Sequence, residues 1–159
     1  MGTITIRQAV AADAAMVHRL LKDLAITLGK GEVMTSTAAD IERFGFGERP
    51  HFDALLAFDG DEAVGLAVYF FEFSTWRGRP GVYVQDMYVA PRMRGRGLGR
   101  DLMEAVVRRS RERGGRYVKL AVYDGNEQAI GFYRSLGFEV CDDEQVLALR
   151  DQRDQSTKE

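Results

Sequence analysis

The sequence predicts an α+β fold, with a mixed, mostly antiparallel central sheet flanked by helices. Three observations lead there. Between residues 52 and 89, three strand-like runs follow one another through short turns, the pattern of an antiparallel meander. Residues 83–123 then read strand, amphipathic helix, strand, the spacing of a right-handed parallel crossover. The helical patterns also stand apart from the meander instead of alternating with each strand.

The elements follow in order. Thr3 to Arg7 alternates apolar and polar residues and reads as a short strand. Asp13 is placed to cap a helix whose apolar face is Val17, Leu20, Leu21, Leu24 and Leu28, ended by Gly29 and Gly31. A second helix is expected over Thr37 to Phe44, closed by Gly45, Gly47 and Pro50. Phe52 to Phe58 and Ala63 to Phe73 are strands joined by the turn Asp59-Gly60-Asp61-Glu62. After a Ser74 to Gly81 connection comes the strand Tyr83 to Val89. The next helix runs from Leu98 to Arg113, with Leu98, Leu102, Ala105, Val106 and Arg109 on one face, and Gly114-Gly115 stops it. Arg116 to Tyr123 is rich in β-branched and aromatic residues. Asn126 caps a last helix, running to Leu136. Phe138 to Cys141 and Gln145 to Leu149 are expected to close the sheet as a hairpin. Residues 1–150 are expected to form one domain, followed by a polar tail over 151–159.

Composition narrows the function. The apolar share is 45% and no apolar run is long enough for a bilayer. The opening residues lack the basic and apolar regions of a signal peptide, so the expected location is cytoplasmic, without membrane association. One cysteine, Cys141, excludes an internal disulfide and a cysteine-rich metal site, and is expected to be a small buried residue. No metal site is expected. The net charge of −2 conceals nine arginines between positions 92 and 116. That local basicity points to an anionic ligand at one place. Aromatic residues that a nucleic-acid surface would interleave are absent there, so no nucleic-acid partner is expected.

The strand, loop and helix from Tyr83 to Gly99 carry the chemistry. Gly95, Gly97 and Gly99 permit backbone N–H groups to approach an anion that a Cβ would keep away. The helix start adds its free N–H groups and positive dipole end. Arg92, Arg94 and Arg96 add planar donors. The arrangement suits a pyrophosphate. No Walker A pattern exists, and the dinucleotide fingerprint fails in register, with Arg100 or Leu102 where its third glycine belongs.

What fits is Arg94-Gly95-Arg96-Gly97-Leu98-Gly99 read as Q/R-x-x-G-x-G/A, with Asn126-x-x-Ala129-x-x-Phe132-Tyr133-x-x-x-Gly137-Phe138 downstream. These motifs resemble those of the GNAT superfamily of N-acetyltransferases. FGFGERPHFDALLA, YFFEFSTWRG, VQDMYV and DGNEQAIGFYRSLGF are similar to the diamine (spermidine/spermine) and thialysine acetyltransferase branch. The resemblance covers residues 4 to 140. It implies the GNAT (acyl-CoA N-acyltransferase) fold, acetyl-CoA as co-substrate, a small-molecule amine as acceptor and a homodimer.

The resemblance also assigns roles. Arg94, Gly95, Arg96, Gly97, Leu98 and Gly99 would bind the pyrophosphate, with Arg100 nearby. The backbone of Met87, Tyr88 and Val89 would hold the pantetheine arm and polarise the thioester carbonyl. Tyr133, a phenol with pKa near ~10, would protonate the departing thiolate, with Asn126 and Ala129 beside the cofactor. A base must take the proton of the incoming ammonium. Relatives have an acidic pair in the strand, with glutamate first; this chain has Gln85-Asp86, which leaves Asp86 as base, with Glu72 and Glu32 in reserve. Regular strand alternation puts Gln85 and Asp86 on opposite faces unless a bulge intervenes. The acid that relatives carry before the Trp turn is Ser74 here. Fewer carboxylates favour a small primary amine or an amino-acid side-chain amine over a long polycation. Trp76 and Tyr69 are candidates to line the amine pocket, with packing the equal alternative. His18 and His51 read as structural. The rival functions are a protein lysine or N-terminal acetyltransferase, and a non-catalytic acetyl-CoA-binding regulatory module.

Overall fold

The computed structural model describes residues 2–151. The chain divides into two compact units, one ending at Ala121 and the other starting at Val122. The first holds a five-stranded sheet: β1 (Ile4–Gln8), β2 (Asp53–Asp59), β3 (Glu62–Ser74), β4 (Arg79–Val89) and β5 (Val118–Leu120), in that spatial order. The first four pair antiparallel and β5 runs parallel to β4. Meander and crossover are therefore both present. β5 keeps three of the eight residues expected to be extended.

Helices cover both faces of this sheet. α1 (Ala14–Thr27) and α2 (Ala38–Phe46) lie on one, where Val17, Leu20 and Ile41 join Leu56, Leu66, Val68 and Tyr88 in a single core. Each large side chain buried there is worth roughly 1.5–3 kcal/mol. Asp13 stands at the start of α1, but its carboxylate takes the Val10 N–H at 2.8 Å and the Arg7 guanidinium at 2.7 and 3.0 Å. It ties the helix entry to β1 instead of capping the helix. α2 opens on a reciprocal capping box, Thr37 Oγ1 accepting the Asp40 N–H while Asp40 accepts that of Thr37. α3 (Leu98–Glu112) covers the opposite face with Leu98, Leu102, Met103 and Val106 buried. Arg109, on that same helical face, donates to the fully buried Tyr69 hydroxyl at 2.9 Å and to Gln8 Oε1 at 2.7 Å.

The second unit holds α4 (Glu127–Ser135), whose Asn126 cap accepts the Ala129 N–H at 3.2 Å. The rings of Phe132, Tyr133 and Phe138 meet edge to face. The two closing strands expected at Phe138 to Cys141 and Gln145 to Leu149 are not formed. Alternating apolar residues become a strand only where a partner edge takes their backbone groups. Here Val146, Leu147 and Leu149 stand in solvent. Cys141 is likewise exposed, not buried. Apart from Asp151, the polar tail over 151–159 lies outside the described residues.

Candidate active site

The site is shaped by one extra residue in β4. Val84 pairs with Tyr69 and Asp86 with Val68, so Gln85 has no opposite number on β3. This bulge has two consequences. The first concerns side chains. Val84 and Asp86 would share a face of a regular strand; here Val84 goes with Tyr69 to the α3 side and Asp86 with Val68 to the α1–α2 side. Asp86 thus joins Phe70 and Tyr83, whose rings stack at 5.1 Å and 23°.

The second consequence concerns the backbone. The Val82 N–H donates toward β5, to Tyr117 O at 3.1 Å, whereas the Ala90 N–H donates to Val64 O on β3 at 2.8 Å. Counting back from Ala90, Tyr88 faces β3 and pairs with Leu66, while Met87 and Val89 turn their peptide groups away from β3. β5 pairs with β4 only at Val82 to Val84, so that outer edge is open beside Met87 and Val89. Of the three residues expected to offer backbone groups, Met87 and Val89 turn theirs to this open edge and Tyr88 is spent on the sheet. Val89 O accepts Arg94 Nε at 2.9 Å.

Asp86 is the electrostatic anomaly. Among the described residues it has no hydrogen bond or ion pair, and burial alone pushes its carboxyl from an ordinary 3.8 up to about 6. No opposing charge offsets the loss of solvent. A group tuned toward neutral pH in this way is suited to proton transfer.

The loop after β4 has the expected backbone. Gly95 and Gly97 take left-handed φ values of 75° and 86°, and a Cβ built on either would meet nothing within 4 Å. Conformation, not crowding, selects glycine at both positions, and open space remains beside them. Gly97 occupies the N-cap of α3 with no side chain capping the helix. The first N–H groups of α3, from Leu98 through Arg100, face outward unclaimed by the helix. Arg92 departs from expectation: its guanidinium holds Asp59 at 2.8 Å and Glu62 at 2.7 Å, bracing the β2–β3 turn.

The remaining candidates are dispersed. Trp76 is 99% exposed at the β3–β4 turn. Tyr69 is buried under α3, on the face opposite Asp86. Glu32 and Gln85 are exposed, and Glu72 sits 3.7 Å from Lys119. His18 Nε2 lies 2.7 Å from Ser36 O, which ties α1 to the following loop. Tyr133, Asn126 and Ala129 belong to the second unit.

The family model for the acetyltransferase (GNAT) family matches residues 17–138. The chain belongs to the GNAT acetyltransferase family. It is 32% identical over 145 residues to the thialysine N-epsilon-acetyltransferase of Bos taurus, covering 86% of this chain and 85% of that protein. It is 31% identical over 144 residues to the spermidine/spermine N(1)-acetyltransferase-like protein 1 of Homo sapiens, covering 86% of this chain and 21% of that longer protein. Among solved structures, an integron cassette protein from the mobile metagenome of V. cholerae superposes with a TM-score of 0.79 at 17% identity, covering 96% of this chain and 95% of that one. This GNAT chain therefore has the family's fold. Its bulge, open edge and glycine loop lie consecutively from residue 85 to 99.

Proposed function

We propose that the chain transfers the acetyl group of acetyl-CoA to a primary amine of a small molecule by direct attack, with residues 1–150 serving as one acetyltransferase domain. One observation carries this reading: a single bulge presents an unpaired, partly buried carboxylate and two outward peptide groups, immediately upstream of an anion loop. Relatives named for thialysine and for spermidine/spermine support a small amine acceptor.

Acetyl-CoA supplies the acetyl group as a thioester. The residues present suit it: the open left-handed loop at Gly95 and Gly97, the Leu98 to Arg100 N–H groups, and the Arg94, Arg96 and Arg100 side chains are matched to a pyrophosphate. Met87 and Val89 N–H groups along the open edge donate to the carbonyl oxygen as negative charge grows on it. Asp86 takes the proton of the attacking amine. An alkylammonium with pKa near ~10 must lose that proton as it attacks, and a carboxylate raised to about 6 is a stronger base than an ordinary one while still ionised at neutral pH. Gln85, neutral and exposed, holds the bulge and takes no proton. Tyr133 protonates the departing thiolate, with Asn126 and Ala129 beside the cofactor; the motif from Asn126 to Phe138 supports this part.

By its resemblance to the branch, the protein acts in the cytoplasm as a homodimer. No helix among the described residues is long and apolar enough to cross a membrane. Release of CoA thiol, followed over a panel of small amines and peptides, tests the activity. Saturable turnover on a small primary amine is expected. Tight acetyl-CoA binding without turnover on any amine overturns the reading in favour of a regulatory module.

A further inference from the structure

The sheet face that carries Asp86 continues past the α1–α2 core. On β3 it runs from Val68 through Phe70 to Glu72 and Ser74, and on β4 from Asp86 through Tyr83 to Gly81. On β5, Lys119 pairs with Tyr83 and shares its face. Phe70 and Tyr83 belong neither to the core nor to the side chains packed against it, and both are half-buried. Their rings stack on each other at 5.1 Å and 23°, which leaves ring edges for a further partner. β3 and β4 present two carboxylates on this face, Asp86 and Glu72, and only Asp86 is unpaired. Glu72 accepts the Tyr117 hydroxyl and stands 3.7 Å from Lys119 Nζ. Gly81 makes room for this arrangement, since a Cβ there would lie 2.5 Å from the Tyr117 ring. Ser74, beyond Glu72, is neutral and accepts the Arg77 N–H at 3.3 Å. Leading away from Asp86, the face therefore offers an aromatic pair first, then a cation and a carboxylate already spent.

A second ammonium has no seat in this order. Along the Phe70–Tyr83 row it would stand beside Lys119, and the like charge opposes the cation–π attraction of half-exposed rings. An aryl group does have one. Asp86 pairs with Val68 and Tyr83 with Phe70, so the carboxylate and the ring pair stand two residues apart along β3, about 7 Å. A hydrogen bond of about 3 Å at Asp86 and a two-carbon arm cover that distance, and bring an aromatic ring edge to face against the pair. Resting on the acetyl transfer proposed above, we infer that the acceptor is an arylalkylamine, a primary amine on a short chain ending in an aromatic ring, and that Phe70 and Tyr83 determine this specificity. Asp86 takes the ammonium and the Phe70–Tyr83 pair takes the ring. A diamine would set its second ammonium against Lys119, with no unpaired carboxylate on β3 or β4 of this face to receive it.

The test measures acetyl-CoA-dependent turnover of phenethylamine, cyclohexylethylamine, cadaverine and lysine by the intact protein and by Phe70→Leu, Tyr83→Leu, Tyr83→Phe and Lys119→Glu. The wild type should favour phenethylamine in kcat/KM over cadaverine and lysine by about tenfold or more, and over the saturated ring of like size by about two- to tenfold. Phe70→Leu and Tyr83→Leu should erase the preference for the aromatic over the saturated ring through KM, and Tyr83→Phe should keep it. Lys119→Glu should raise the use of cadaverine relative to phenethylamine by about tenfold. Equal or better use of cadaverine or lysine by the wild type overturns the assignment, as does an aromatic-to-saturated ratio that both leucine variants leave unchanged. Calorimetric binding of the same amines separates the two levels of inference. Binding of phenethylamine that depends on Phe70 and Tyr83, without turnover, refutes the proposed activity and leaves the aryl subsite standing. Turnover of cadaverine or lysine alone does the reverse.

Discussion

Replacing Asp86 by Asn should produce a protein that is more stable and catalytically impaired, in a pH-dependent way. The folded state raises this carboxyl from 3.8 to about 6 by burial, without a compensating partner. A raised acid binds its proton more tightly in the folded chain than in the unfolded one. Between about pH 4 and pH 6 the unfolded chain releases that proton while the folded chain keeps it. Stability therefore falls as pH rises through this window and stays lower above it. The shift corresponds to about 3 kcal/mol at neutral pH, or roughly 6–12 °C in Tm for a chain of this size. Asparagine removes the charge at nearly constant volume. Urea unfolding at pH 4 should find the two proteins similar, and at pH 7.5 the variant more stable by an amount of that order. Initial rates should fall about a hundredfold or more, the usual contribution of a general base. The limb of the wild-type pH–rate profile near pH 6 should disappear in the variant. No gain in stability at pH 7.5, or a limb near pH 6 that survives the substitution, would refute the reasoning.

Two further outcomes address the loop and the acid. Gly97→Ala forces a Cβ onto a residue at φ 86° and should cost about 1–2 kcal/mol in thermal unfolding while weakening acetyl-CoA binding by calorimetry. Gly99→Ala, within the first turn of α3 and without a left-handed φ, should weaken acetyl-CoA binding without that stability cost. Tyr133→Phe should lower kcat by about a hundredfold, with acetyl-CoA affinity unchanged, if its hydroxyl is the proton donor; single-turnover rates measured beside binding decide between that role and packing.

The parts of this protein that were legible in its sequence are those set by near neighbours. Glycines at 95 and 97 followed by an amphipathic helix define a loop because conformational freedom and helix start are local properties. Thr37 and Asp40 form their capping box, and Asn126 its cap, for the same reason. Where sequence reading stopped, register took over. The nine arginines between 92 and 116 look like one basic cluster, yet Arg92 is drawn to Asp59 and Glu62, Arg109 to Tyr69, and Arg113 lies 4.3 Å over the Phe71 ring. Glu72, Gly81 and Lys119 come together only because three strands align. The closing hairpin was misread for a related reason, since an apolar alternation does not state whether an edge is available to it.

The bulge shows why such features escape residue-by-residue inspection. Gln85 has no compositional mark of an unpaired residue; its position follows from how Val68 and Tyr69 pair with a strand fifteen or more residues away. Its effect is one of counting. A single inserted residue reverses both alternations of a strand at once, the direction of side chains and the direction of peptide groups. Were Gln85 instead paired in a regular strand, Asp86 would share the Val84 face toward α3 and the Met87 and Val89 peptides would turn toward β3. The proposed base and the proposed carbonyl donors are therefore coupled through one residue of register. Deleting Gln85 would leave Val84 and Asp86 as direct neighbours with opposite faces and opposite peptide directions, so both features, and the limb of the pH–rate profile near pH 6, should survive the deletion.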